Sequence, residues 1–399
     1  MRIIEIKDTN EAAEELKKIY VDPAGIVLMA PKSVFRTILL KKIPSIAANI
    51  IKQEMLSYGG EAATSYGVVN LSSKYTDLII MGTIKQFTQL TDKLPLHQFG
   101  LPAISKNISR VLLNYDSCPP PVKIKGKKFH FGKRTYIMGI LNVTPDSFSD
   151  GGKFINFKDA INHAFRMIKE GADIIDVGGE STRPGAKTVP AREEMRRVLP
   201  VIRELKKRKI PISIDTRKAA VAKAAILAGA DIINDTSGLR YDKKMAKVAA
   251  KYKVPIIIMH IKGTPKNMQK NTGYQDLIGE IIEYLDKSIE IAENAGVLRN
   301  QIIIDPGFGF GKTIEQNLEI LRRLKEFKSI GQPILIGTSR KSTIGKVLGL
   351  PVTERIEGTA ATVAVAISSG ADIIRVHDVM EMKRVAQMTD AIVRRKGNG

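Results

Sequence analysis

Eight short apolar runs, each separated from the next by a helical pattern, occupy the chain from Tyr136 to Val376 and leave few folds open. They are Tyr136–Leu141, Ile174–Val177, Ile212–Ile214, Ile232–Ile233, Pro255–Met259, Ile302–Ile304, Pro333–Ile336 and Ile373–Val376. None alternates apolar with polar residues, so each predicts a strand covered on both faces, as in a parallel sheet. The stretches between them carry helical spacing, for example Ala160–Glu170, Glu193–Lys207, Ala219–Ala228 and Ile278–Asn294. Three strands are introduced by one tripeptide, Gly171-Ala172-Asp173, Gly229-Ala230-Asp231 and Gly370-Ala371-Asp372, whose glycine suits a left-handed helix C-cap. Eight strand–helix units in roughly 260 residues match a closed (β/α)8 TIM barrel of the α/β class. A doubly wound open sheet is the second choice, because strand order is not written in a sequence.

The barrel pattern starts late. Cys118-Pro119-Pro120-Pro121-Val122 cannot continue a helix or a central strand, and the following Lys123–Lys128 is basic. The expected division is a small accessory α/β domain of unassigned role over residues 1–115, a linker over 116–130, and the barrel over 131–399. In the first part, Gly25–Ala30 reads as a buried strand and Pro31–Tyr58 as one or two helices interrupted at Pro44. Leu78–Gly82 reads as a strand and Ile104–Leu113 as a helix, and no catalytic constellation stands out there.

Charge narrows the partner. The chain carries 63 Lys and Arg against 41 Asp and Glu, a formal charge of +22, which suits an anionic partner. The basic residues are scattered over helical patterns, Trp is absent and aromatics make up 6%. No base-stacking platform is expected from that, so an anionic small molecule is favoured over nucleic acid. Met1–Asn10 offers no signal-like apolar stretch, and Val254–Ile261 is far shorter than a membrane span. The single cysteine, Cys118, excludes an internal disulfide framework, so a reducing, cytoplasmic setting is the expectation.

Polar residues collect at the C-terminal ends of the eight runs: Asn142, Glu180–Arg183, Asp215, Asn234-Asp235, His260, Asp305, Ser339–Ser342 and Arg375–Asp378. In a barrel those ends meet at one mouth, where active sites are assembled. A single Asp or Ser after a strand is most simply a helix N-cap; eight polar strand ends point to a site. Asn142–Gly152 is a loop of short polar side chains suited to a lid. Gly178–Gly185 sets a guanidinium and hydroxyls between glycines, which suits an anionic group. Ser339-Arg340-Lys341-Ser342 and Arg375-Val376-His377 add three cations and an imidazole, as a phosphate or pyrophosphate requires.

Asp305 leads into Pro306–Thr313. That segment fails as a Walker A loop, since only three residues separate Gly307 from Gly311. Its glycines instead let Phe308 or Phe310 line the mouth. No His-Glu-x-x-His pattern accompanies His260 or His377, which argues against zinc, and Mg2+ enters only as the partner of a phosphorylated ligand.

The segments that carry this chemistry are MGILNVTPDSFSDGG (Met138–Gly152), DVGGESTRPGA (Asp176–Ala186), SIDTRK (Ser213–Lys218), INDTSG (Ile233–Gly238), MHIKGTPKNMQ (Met259–Gln269), DPGFGFGK (Asp305–Lys312), GTSRKS (Gly337–Ser342) and RVHDV (Arg375–Val379). In this order and together they resemble the dihydropteroate synthases, from about residue 130 to the end. The N-terminal part lies outside the resemblance.

The resemblance implies that Asp215, Asn234, Asp305 and Lys341 hydrogen-bond a pterin ring, with Met259 against its face. It implies that Asn142, Arg375 and His377 hold a pyrophosphate, Asn142 also lying near Mg2+, and that Arg375 stacks on the pterin. Thr182, Arg183 and Ser342 would seat an arylamine together with Phe148, Pro184 and Phe310. Asp146 and Asp150 fall on a mobile loop, Asp150 placed to stabilise a pterin cation. The implied reaction is a transfer joining 6-hydroxymethyl-7,8-dihydropterin pyrophosphate to 4-aminobenzoate, with C–O cleavage first and amine attack second, in a homodimeric enzyme of folate biosynthesis. A ribosylated arylamine, as in methanopterin synthesis, is the alternative acceptor. A pterin-dependent methyltransferase and a non-catalytic pterin-binding paralogue are the remaining readings.

Overall fold

The computed structural model describes residues 1–70, 72–143, 157–181, 188–264, 268 and 272–394. Two compact units divide the chain, Met1–Ser117 and Cys118–Gly399.

In the first unit, β1 (Phe35–Pro44), β2 (Glu61–Thr64) and β3 (Tyr75–Thr83) form an antiparallel sheet in the order β1-β3-β2. Its buried residues Ile38, Leu78 and Ile80 pack with Ile51 and Met55 of the helix Ser45–Ser57, Phe87 and Leu90 of Ile84–Lys93, and Ile108 of Leu101–Asp116. The expected strand Leu78–Gly82 and helix Ile104–Leu113 lie inside the observed β3 and the helix Leu101–Asp116. Two expectations are corrected. Gly25–Ala30 is no strand: it falls in the helix Pro23–Met29 and the 3-10 turn after it. Asp22 caps that helix by accepting the Gly25 N–H at 2.8 Å, and Pro23 fits its first turn. A short apolar run cannot by itself choose between strand and helix. Nor are residues 31–58 all helical, because Phe35–Pro44 is β1 and only Ser45–Ser57 follows as a helix. Pro44 therefore separates a strand from a helix, rather than two helices.

The second unit opens with a hairpin, β4 (Val122–Ile124) and β5 (Lys127–Phe129), inside the span expected to be a linker. Its two-residue turn, Lys125-Gly126, has positive φ at both positions (48° and 78°), the geometry that matches the twist of paired strands. Eight parallel strands follow: β6 (Tyr136–Asn142), β7 (Ile174–Gly178), β8 (Ile212–Asp215), β9 (Ile232–Asp235), β10 (Ile256–Met259), β11 (Ile302–Asp305), β12 (Leu335–Ile336) and β13 (Ile373–Val376). β6 to β11 each pair with the next in sequence, β12 pairs with β13, β13 returns to pair with β6, and an Ile304–Ile334 bridge joins β11 to the approach of β12. The circle is the (β/α)8 barrel.

Alternation along each strand sorts the apolar residues. Ile137, Ile175, Ile214, Ile233, Ile258, Ile304 and Ile374 pack outward against helix residues such as Ala164, Val198 and Ala222. Met138, Ile174, Ile232, Ile257, Ile303, Leu335 and Ile373 form a separate interior cluster, together with Val122, Ile124, Phe129, Phe131 and Tyr136. The hairpin thus closes the barrel floor, and at about 1.5–3 kcal/mol per fully buried large side chain its contribution is not small.

The three Gly-Ala-Asp turns do more than end helices. Gly171, Gly229 and Gly370 do take positive φ. Each following aspartate also clamps the start of the preceding strand in both directions. Asp173, Asp231 and Asp372 donate their N–H to the carbonyls of Ile137, Ile212 and Ile334 at 2.7–2.8 Å. Their carboxylates accept the N–H of the same three residues at 2.9–3.0 Å.

Candidate active site

Strand register assembles the mouth. Asn142 pairs with Gly178, Gly178 with Asp215, and Asp215 with Asn234, so the ends of β6, β7, β8 and β9 share one level. Met259 and Asp305 are register partners on β10 and β11. Gly178 packs into this row: a Cβ there would stand at ordinary contact, 3.5 Å from Asn142 Oδ1 and 3.6 Å from Asp215 Cβ. Below this polar row the interior is the apolar floor, so charges at the mouth meet a poorly solvated environment.

Arg375, on β13, ties the row together. Its Nε donates to Asp176 Oδ2 and its Nη2 to Asp215 Oδ2, both at 2.7 Å. Asn234 Nδ2 donates to the same Asp176 Oδ2 at 3.0 Å, which leaves the Asn234 carbonyl oxygen as the free end of that amide. Burial pulls the Arg375 guanidinium down, but Asp176, Asp215 and Asp305 outweigh it and raise its pKa. Burial raises Asp215, with Arg375 opposing and Asp176 adding to the rise. Burial pushes Asp305 up to about 6, partly relieved by the Gly307 N–H that donates to its Oδ1 at 2.7 Å.

The segment after β11 wraps around its own lysine. Gly307, Gly309 and Gly311 all take positive φ, and a Cβ on Gly307 would sit 1.9 Å from the His260 carbonyl oxygen, so only glycine fits there. Lys312 is buried and spends three donors on His260 Nδ1 at 2.9 Å, the Gly307 carbonyl at 2.9 Å and the Phe310 carbonyl at 3.0 Å. Burial lowers its pKa to about 7, and burial together with Lys312 holds His260 neutral, at about 2. This fixes Phe310, which is buried in a cluster with Met259, Ile261 and Met268. The Lys341 Nζ lies 4.1 Å from the centre of the Phe310 ring. Burial, reinforced by Arg375, lowers Lys341 to about 8. His377 Nδ1 stands 3.0 Å from Ser339 Oγ, and burial with Arg375 nearby keeps His377 neutral, at about 3.

The residues singled out in the sequence divide three ways. Asn142, Asp215, Asn234, Met259, Asp305, Phe310, Lys341, Arg375 and His377 all stand at the barrel mouth, on the contacts and register just given. Ser342 starts the helix Ser342–Leu348 and is exposed. Asp146, Asp150, Thr182 and Arg183, with Phe148 and Pro184, lie outside the described residues.

Sequence reasoning passed over Asp176 and Lys312. A charged residue inside the otherwise apolar run Ile174–Val177 was the available signal for Asp176; the curled path that brings Lys312 back over its own loop had none. Glu180 is drawn into a separate buried network with Arg217, Lys218 and, through Lys218, Glu194. Among the described residues no group of three or more His, Cys, Asp or Glu could hold a metal ion.

Known proteins agree with this geometry. A family model described as pterin binding enzyme matches residues 138–377. The dihydropteroate synthase of Clostridium beijerinckii is 56% identical over 276 residues, covering 69% of this chain and 100% of its own length. A probable bifunctional folylpolyglutamate synthase/dihydropteroate synthase of Halobacterium salinarum is 40% identical over 387 residues, covering 97% of this chain and 46% of that protein, so its match extends into the first unit. The crystal structure of dihydropteroate synthase from Clostridium difficile in the presence of pteroic acid is 55% identical and superposes with a TM-score of 0.63, covering 66% of this chain and 99% of that one. A closed parallel barrel with buried acids and cations at one mouth, matched by single-function dihydropteroate synthases over nearly their full length, places this chain in the family of pterin binding enzymes, among the dihydropteroate synthases.

Proposed function

We propose that this chain condenses 6-hydroxymethyl-7,8-dihydropterin pyrophosphate with 4-aminobenzoate and releases pyrophosphate. The observation that carries the reading is the joining of Asp176, Asp215, Asn234 and Arg375 in one hydrogen-bonded row, with Asp305 and Lys341 on the same cavity. A pterin edge presents N–H and NH2 donors beside ring-nitrogen and carbonyl acceptors. Asp215, Asp305 and the free oxygen of Asn234 offer acceptors to the first set, and Lys341 offers a donor to the second. Met259 supplies an apolar face, as the ring needs on a buried side. Leaving such ligand groups unpaired here would be costly, which makes the row selective.

The chemistry needs charge at the other end of the ligand. The C–O bond to pyrophosphate breaks with its electron pair departing on the leaving group, and Arg375 and His377 are assigned to that growing charge, with Lys341 beside them on the pterin. The arylamine nitrogen then bonds to the exocyclic carbon and loses a proton. Asp146 and Asp150 are assigned to the pterin cation, and Thr182, Arg183, Ser342 and Phe310 to the arylamine. Asn142 would hold a Mg2+ ion through its amide oxygen, one protein ligand being enough for an ion that is bound largely through water and phosphate oxygens. When bound, that ion adds positive charge to the leaving group. No helix among the described residues is long and apolar enough to cross a membrane. A reducing cytoplasmic setting fits the single cysteine, and the family resemblance supports a homodimer.

The test is turnover with the pterin pyrophosphate, with and without 4-aminobenzoate. A condensed product and pyrophosphate in equal amounts are expected, and only with the amine. A ribosylated arylamine tested in parallel shows which acceptor the site prefers. Binding of the pterin without any product would overturn the reading.

A further inference from the structure

The turn after β12 contains a residue whose backbone does not suit its side chain. Arg340 has φ 55°, in the left-handed region that residues with a Cβ seldom enter. It lies next to Lys341, in a turn closed by the Lys341 N–H donating to the Thr338 carbonyl at 3.1 Å. Such a conformation persists where the surroundings over-determine it, and they do so here. The Arg340 N–H donates to Thr359 Oγ1 at 3.1 Å, and its carbonyl accepts from Arg355 Nη1 at 3.0 Å. Its guanidinium makes a two-point pair with Asp378, through Nε to Oδ2 at 2.9 Å and through Nη2 to Oδ1.

The residue before it is held in the same sense. Ser339 Oγ meets His377 Nδ1 at 3.0 Å and accepts the His377 N–H at 3.2 Å. Ser339–His377 and Arg340–Asp378 are therefore consecutive rungs between the turn after β12 and the turn after β13. Lys341 follows one end of the ladder directly, and Arg375 precedes the other by two residues. An ordinary partly exposed ion pair contributes little to stability, and the Arg340 side chain is 39% exposed. A two-point pair that holds a strained turn beside Lys341 has a different use.

We propose that the Arg340–Asp378 pair is a positioning element for the pyrophosphate end of the substrate, fixing the turn so that Lys341 and His377 keep their spacing to Arg375. The proposal rests on the condensation reading above, and both residues act through their neighbours rather than on the reacting atoms.

Arg340→Gly, Asp378→Asn and the double variant test it, since glycine accepts φ 55° without strain. Each single variant is expected to lose about tenfold in kcat/KM for the pterin pyrophosphate, while KM for the arylamine stays within about twofold. The double variant is expected to be no worse than the worse single one, because both remove one interaction. Wild-type kcat/KM in both singles, additive losses, or an equal rise in both KM values would overturn the proposal. If Arg340→Gly does not fold, Arg340→Lys takes its place; it keeps the charge but not the two-point geometry and is expected to lose nearly as much. Calorimetry with inorganic pyrophosphate keeps the two readings apart. A wild type without condensed product sinks the condensation reading. Pyrophosphate binding that is weaker in the variants by about fivefold or more supports the pair, and unchanged binding removes it.

Discussion

Asp176 Oδ2 receives both the Asn234 amide at 3.0 Å and the Arg375 guanidinium at 2.7 Å, so one oxygen sets the orientation of two ligand-facing groups. Asp176 is fully buried on β7 and offers nothing to solvent, which makes its part in the site indirect.

Asp176→Asn removes the charge but keeps the shape. The new amide sets an N–H donor against Asn234 or Arg375, and the Asn234 carbonyl loses its fixed direction. A fall of about 100-fold in kcat/KM for the pterin pyrophosphate is expected, with a stability loss of about 2–4 kcal/mol from breaking a buried pair. Steady-state kinetics beside urea unfolding measures both. Retention of full activity with lost stability would reduce Asp176 to a purely structural group.

Asp305 exchanges stability for binding. Its carboxyl is raised from the ordinary 3.8 to about 6 by burial. A raised acid favours the folded protein at low pH, and that contribution disappears as pH rises from about 4 through about 6. Asp305→Asn should therefore match the wild type in stability near pH 3.5 and exceed it by on the order of 2 kcal/mol above pH 6.5, while losing pterin binding. Thermal melts across that range, paired with pterin titration, are the measurement. A variant less stable than wild type at pH 8 would contradict the assignment.

Lys312→Met strips the donor from two carbonyls and an imidazole nitrogen in one step. With roughly 1–3 kcal/mol for each buried acceptor left unpaired, a loss of about 3 kcal/mol is expected. Phe310 then loosens, so KM for the arylamine should rise by about tenfold. Loss of stability with an unchanged KM would separate the lysine cage from the site.

The position of the hairpin predicts where the chain can be cut. A protein beginning at residue 118 keeps Val122, Ile124 and Phe129 in the barrel floor. It should fold and turn over within about threefold of the full chain, as relatives that match only the barrel suggest. One beginning at residue 131 loses that floor and should be at least about 4 kcal/mol less stable. Equal stability of the two fragments would contradict the part given to the hairpin.

The eight barrel strands were legible because isoleucine-rich runs without alternation have few other uses, and each observed strand overlaps its expected run, β12 least, over Leu335–Ile336 alone. Asp215, Asp305 and Arg375 stood out because they end or interrupt such runs. The hairpin was masked by its lysines: Val122, Ile124 and Phe129 do alternate with polar residues, but Lys125 hides a turn usually marked by Asn-Gly or Asp-Gly. In the first unit, β1 looked helical because Phe35–Pro44 keeps no clean period, its register being broken between Leu40 and Ile43. The left-handed turn at Arg340 could not be read at all, since an arginine in that conformation owes it to Thr359, Arg355 and Asp378, which lie 15 to 38 positions away.

The Gly-Ala-Asp clamps have a consequence for the order in which this molecule comes together. Each spans 19 to 38 residues, so a strand, its helix and the next strand can latch early, at small entropic cost. Arg375 reaches Asp176 on β7 and Asp215 on β8 across 199 and 160 residues, past β6, so those bonds wait for the β13–β6 pairing that shuts the circle. A refolding chain should thus gain its helical signal well before it can capture a pterin. A half-assembled barrel would leave the ligand in solution.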